Sequence, residues 1–125
     1  MEVEREAKPK KNYLKSIRKL CNRLNICLIF DECTTGFRGA YGGLHKIFRI
    51  NPDLAIFGKA LGNGYAINAV IGRRDIMESA QTTFISSTFW TERIGPTAAL
   101  KTLEVMERIK SWEQITKIGL KITKK

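Results

Sequence analysis

The chain holds one histidine, His45, and three cysteines, Cys21, Cys27 and Cys33, in 125 residues. One histidine cannot build a typical zinc cluster, and cysteines six apart do not form the close pairs that metal sites prefer. Their odd number favours reduced thiols over a disulfide framework. No apolar run approaches the roughly 20 residues that span a bilayer, and the charged start has no secretory apolar core. The expectation is therefore a cytoplasmic protein with no membrane association. Internal repeats and low-complexity tracts are missing too. Acidic residues are few, 12 against 22 basic, so the net charge is +10. Basic residues gather in Lys8 to Arg23 and in Lys117 to Lys125, and such clusters can contact a polyanion. No helix-turn-helix, zinc finger or stacking platform accompanies them, so no specific nucleic-acid partner is expected. The charge reads as a solvated helix face that binds polyanions non-specifically at low salt.

The elements present alternate between helix and strand. Asn12 is placed to cap a helix in which Leu14, Ile17, Leu20, Cys21 and Leu24 recur at three- and four-residue steps, ending near Asn25. Ile26 to Asp31 reads as a buried strand with Asp31 at its C-terminal edge, where open α/β sheets collect ligands. A glycine-rich loop through Gly36, Gly39, Gly42 and Gly43 follows, then Pro52-Asp53 and a strand from Leu54 to Phe57. Ala69 to Gly72 and Thr83 to Ser86 are further strand expectations, with a short helix at Asp75 to Ala80 between them. Pro96 reads as the first residue of a helix whose Ala99, Leu100, Leu103, Met106 and Ile109 share one face. A last helix is expected near Trp112. The length suits about one domain with a modest core.

The most informative run is Ile56-Phe57-Gly58-Lys59-Ala60-Leu61-Gly62-Asn63-Gly64. An apolar strand here delivers one amine into a close-fitting glycine-rich loop, as a protein that holds an aldehyde would. A lysine in water sits near a pKa of about 10.4 and is a poor nucleophile at neutral pH, whereas partial burial and a neighbouring cation depress it and permit Schiff-base chemistry. A P-loop does not fit: Ala60 stands where Ser or Thr is required, and Asp53 where the first glycine belongs.

Four segments in order, Leu28-Ile29-Phe30-Asp31-Glu32-Cys33-Thr34-Thr35-Gly36-Phe37-Arg38, Pro52-Asp53-Leu54, Gly58 to Tyr65, and Ser87-Thr88-Phe89-Trp90, resemble the class III, pyridoxal-phosphate-dependent aminotransferases. Members like glutamate-1-semialdehyde aminomutase are the nearest. The resemblance runs from about Asn12 to about Glu107. It implies an α/β fold, part of the large domain of a fold-type I transferase, with a mixed, mostly parallel sheet flanked by helices. Residues 1–11, acidic and then basic with no apolar pattern, read as a charged tether, and the resemblance implies a partial pyridoxal 5'-phosphate-binding domain at 12–110 and a Lys-rich helix at 111–125 leading towards a small domain. It also implies that the upstream phosphate loop and ring-stacking aromatic, and the downstream substrate-carboxylate segment, lie outside these residues.

By the same resemblance Lys59 is the Schiff-base lysine and proton shuttle, Asp31 pairs with the pyridine nitrogen, and Thr88 hydrogen-bonds the cofactor phosphate of a neighbouring subunit in a homodimer. The substrates would be a small amino donor and a keto acid or aldehyde acceptor, or one molecule rearranged internally. Each residue also has a plainer explanation. Asp31 and Thr88 are residue types that form turns after strands, and Lys59 alone is an ordinary solvated lysine. Glu32 and Arg38 suit bracing of the loop, and Phe89 and Trp90 suit a core or an interface. Two alternatives to turnover stay open: a shortened relic that keeps the cofactor core without activity, and a basic polyanion-binding module.

Overall fold

The computed structural model describes residues 10–123. Most of the expected tether at 1–11 therefore lies outside the described residues. The elements are helix α1 (Tyr13–Leu24), strand β1 (Ile29–Asp31), α2 (Leu44–Phe48), β2 (Leu54–Phe57), β3 (Ala69–Gly72), α3 (Arg74–Met77), α4 (Ile94–Ile109) and α5 (Ser111–Ile122). Turns of 3-10 helix follow β2 at Lys59–Leu61 and α3 at Glu78–Thr82.

The sheet is small and mixed, in the order β1-β2-β3. β1 and β2 run parallel with Phe30 opposite Ala55 and Asp31 opposite Ile56, while β3 returns antiparallel to β2. The expectation of a mostly parallel sheet is thus corrected to one parallel and one antiparallel pair. The reason lies in the connections. The long 32–53 segment, which contains α2, is the crossover a parallel pair needs, whereas the shorter 58–68 segment, with its one 3-10 turn, brings the chain back antiparallel.

One face of the sheet carries the core. Ala55 and Phe57 alternate inward along β2 and pack with Phe37, Leu61 and Ala99, and Leu103 and Met106 of α4 close the cluster. The helix face predicted for α4 is therefore narrower than expected. Leu100 lies off the 99, 103, 106 line and is 71% exposed, and Ile109 is also exposed. α4 starts two residues before Pro96, which falls third in the first turn, still within the stretch whose N–H groups lack intrahelical partners. The Glu92 carboxylate satisfies two of those groups, accepting from the N–H of Ile94 and, at 3.1 Å, of Gly95.

β1 is shorter and more open than the buried strand expected at Ile26 to Asp31. Asn25, in the left-handed region at φ 53°, ends α1, and the Ile26 N–H turns back to Cys21 O, so the ladder begins only at Ile29. Of its three residues only Phe30 is buried. Asn12 does precede α1, but in the left-handed region and without a side-chain cap; its carbonyl accepts the Ser16 N–H instead. No strand forms at Thr83 to Ser86: 84–87 have no regular structure and pair with no sheet edge among the described residues, and Phe84 stands 92% exposed. α2, in turn, occupies part of what the sequence presented as loop.

An acid–base clamp ties the opposite end of the parallel pair together. Asp53 accepts from the Leu28 N–H and from Arg18 of α1, each at 2.7 Å, and from Arg73 beyond β3 at 3.0 Å. Its side chain is nearly covered. The Leu28 N–H first, then Arg18 and Arg73, hold the carboxyl down to about 2 against the upward push of burial.

Candidate active site

Asp31 ends β1, and Lys59 follows β2 after one glycine, so both emerge at the C-terminal edge of the two parallel strands. That is the edge at which α/β sheets bind ligands. Gly58 is buried between two side chains: a Cβ there would press on Asn68 Oδ1 and fall 2.7 Å from Cys33 Sγ. Lys59 itself has φ 40°, a left-handed conformation that a lysine adopts at a cost of order 1 kcal/mol. Its Nζ donates to Thr34 Oγ1 at 2.5 Å. The side chain is exposed, so the partial burial expected of it is not found within this chain.

The turn that carries Thr34 is held on several sides. Asp31 Oδ1 accepts the Cys33 N–H at 3.0 Å, which orients the carboxylate as well as the turn. The Gly36 N–H reaches Glu32 O at 2.7 Å, and Gly36 packs so tightly that a Cβ would fall 2.7 Å from the Phe57 ring. Glu32 is fully buried. Its carboxylate accepts from Thr35 Oγ1 (3.2 Å), the Leu44 N–H (2.5 Å), the His45 N–H (3.0 Å) and His45 Nδ1 (2.7 Å). Burial pushes this carboxyl up, but the His45 and Leu44 hydrogen bonds prevail and leave it below the ordinary value. Glu32 thus braces the loop, as the plainer reading held, by stapling the start of α2 to the end of β1.

Thr88 is placed in an exposed turn at 88–91, next to the exposed Phe89 and Trp90. The structure therefore gathers Asp31 and Lys59 at one edge and sets Thr88 on an open surface. Sequence reasoning missed Thr34, Asn68 and the close approach of Cys33 to Gly58. Thr34 lay inside a quoted motif, but nothing in its spacing marked it as a partner of Lys59.

A cavity of about 750 Å³ opens between the 62–65 segment and α4, lined by Tyr65, Ile94, Thr97, Val105, Met106 and Ile109 among others. None of Asp31, Lys59 and Thr88 lines it. Its walls are largely apolar and hold no amine–carboxylate pair. Among the described residues no helix is long and apolar enough to cross a membrane.

The family model for "Aminotransferase class-III" matches residues 7–125. The chain belongs to the class III aminotransferase family. That family is pyridoxal-phosphate-dependent. The 3-aminobutyryl-CoA aminotransferase of Cloacimonas acidaminovorans (strain Evry) is 44% identical over 114 residues, 90% of this chain and 28% of that one. A glutamate-1-semialdehyde 2,1-aminomutase of Nitrosopumilus maritimus (strain SCM1) is 41% identical over 106 residues, 82% of this chain and 25% of the relative. Among solved structures, the ornithine aminotransferase of Toxoplasma gondii ME49 superposes with a TM-score of 0.81 at 30% identity, covering 90% of this chain and 27% of that one. The PLP internal aldimine form of the Sphingopyxis sp. MTA144 FumI protein gives 0.77 at 30% identity, over 84% of this chain and 25% of FumI. This class III chain thus spans about a quarter of the length of the relatives it matches, and aligns to part of fold-type I aminotransferase structures.

Proposed function

We propose that this chain forms the cofactor-anchoring edge of a pyridoxal 5'-phosphate-dependent transaminase, with Lys59 as the Schiff-base lysine and Asp31 as the partner of the ring nitrogen. The observation that carries the reading is the emergence of Lys59 and Asp31 together at the C-terminal edge of adjacent parallel strands. A reachable primary amine beside an oriented carboxylate suits a small ring that bears an aldehyde and a basic nitrogen. When bound, the cofactor supplies an electron sink for the α-carbon of an amino substrate.

The residues have separable tasks. The Lys59 amine would hold the aldehyde of the cofactor, and its Nζ would be the atom that takes up and returns a proton. Asp31, fixed by the Cys33 N–H, keeps a proton on the ring nitrogen through its negative charge. Thr88 serves as a phosphate ligand across a homodimer, a role supported by its exposure beside Phe89 and Trp90. The amino group would pass from an amino donor to a keto acid or aldehyde, or within one molecule as in the aminomutase relatives. Capture and turnover are distinct in this chain. Capture needs the amine and a hold on the phosphate, whereas turnover also needs a substrate pocket around an amine that here stands exposed.

The test is spectroscopic. Pyridoxal 5'-phosphate added to the chain should give a long-wavelength absorption band, and borohydride trapping with peptide mapping should place the adduct on Lys59. A spectrum and a peptide map unchanged in Lys59→Ala would leave only scattered lysine adducts and end the proposal.

A further inference from the structure

We propose that Thr34 is a positioning residue for Lys59, holding the amine at the strand edge. The purpose of that hold rests on the reading of Lys59 as the cofactor lysine; the geometry does not. Nζ donates to Thr34 Oγ1 at 2.5 Å, across 25 residues of sequence. Both ends of this contact are held in place. On one side, the Asp31 carboxylate takes the Cys33 N–H, the Gly36 N–H closes the turn onto Glu32 O, and Thr35 Oγ1 is tied to the buried Glu32. On the other, Gly58 sits against Cys33 and Asn68, and Lys59 takes the left-handed φ of 40°. The hydroxyl is thus a fixed acceptor for the amine at the end of a flexible four-carbon stem.

The consequence is orientation. An amine parked on Thr34 lies on the side of the edge that carries Asp31, three residues earlier at the end of β1, so a ring seated against the carboxylate would meet the amine without a search. The hydroxyl can accept from the ammonium or donate to the neutral amine by rotating, so the hold survives loss of a proton.

The experiment compares the full chain with Thr34→Val and Thr34→Ser, in two measurements. In the first, without cofactor, NMR relaxation at the Lys59 Cε reports side-chain order. Wild type and Thr34→Ser should be ordered alike, and Thr34→Val should be measurably less ordered than both. In the second, pyridoxal 5'-phosphate followed by borohydride and peptide mapping gives the rate of label at Lys59 relative to Lys101 as an internal reference. Thr34→Val should lower that ratio by about threefold to tenfold, the usual net weight of one solvent-exposed hydrogen bond, and Thr34→Ser should restore it. Equal Lys59 order in wild type and Thr34→Val, or failure of Thr34→Ser to rescue, overturns the assignment. Loosened order in Thr34→Val with no label at Lys59 in any chain would keep Thr34 as the positioning residue and defeat the cofactor reading instead.

Discussion

Replacement of Asp53 removes the clamp that joins α1, the chain before β1, and the end of β3. Asp53→Ala leaves the Leu28 N–H without an acceptor and strips the partner from Arg18, whose side chain is only 16% exposed. Breaking one side of such a covered pair costs about 3–5 kcal/mol. Arg73, with 58% of its side chain exposed, turns to Asp75 and water and adds little. Asp53→Asn keeps the shape and one acceptor oxygen for Leu28 and Arg18 and turns its amide towards the exposed Arg73, so the pH-dependent part of its cost isolates the charge. The carboxyl is held from 3.8 down to about 2, which corresponds to about 2 kcal/mol of stability. Because the folded value is depressed, that stability is fully present above the unfolded value of 3.8 and is lost as pH falls through about 2. Urea unfolding followed by far-UV circular dichroism should show wild type more stable than Asp53→Asn by about 2 kcal/mol at pH near 6. The gap should close as the pH approaches 2. A gap that stays constant over that range would refute the ionic account of the clamp.

Glu32→Gln puts an amide N–H against either the Leu44 or the His45 backbone N–H, and should lower stability by roughly 2–4 kcal/mol in urea titrations. An unchanged midpoint would show that the buried carboxylate does not brace the loop. Gly58→Ala drives a methyl group against Cys33 Sγ and Asn68 Oδ1, and should destabilise by about 1–3 kcal/mol while weakening Lys59 labelling by pyridoxal phosphate. Wild-type labelling in that variant would show that the close approach has no bearing on the lysine. Phe84, Trp90, Leu100 and Ile122 are all at least 66% exposed, so the chain should self-associate at micromolar concentration. Monodisperse monomer by light scattering is the contrary result.

The sequence alone determined the helices and strands wherever apolar spacing was regular and long. α1 stands where three- and four-residue spacing set it, because such a pattern fixes which face of a helix can leave water, and β2, β3 and α5 stand where two strands and a last helix were expected. It also determined the family, through four motifs in order, and with it the pair of residues worth testing. Tertiary structure decided the rest. Thr83 to Ser86 has strand-forming residues, yet it pairs with no sheet edge among the described residues, and a strand cannot satisfy its backbone alone. Asp53 looked like punctuation before a strand and proved to be a buried anchor, because its partners lie 20 to 35 residues away. Thr34 meets Lys59 only because β1 and β2 run parallel, which places the turns after both strands side by side. Local pattern records what each segment prefers, and long-range pairing chooses which side chains share an edge.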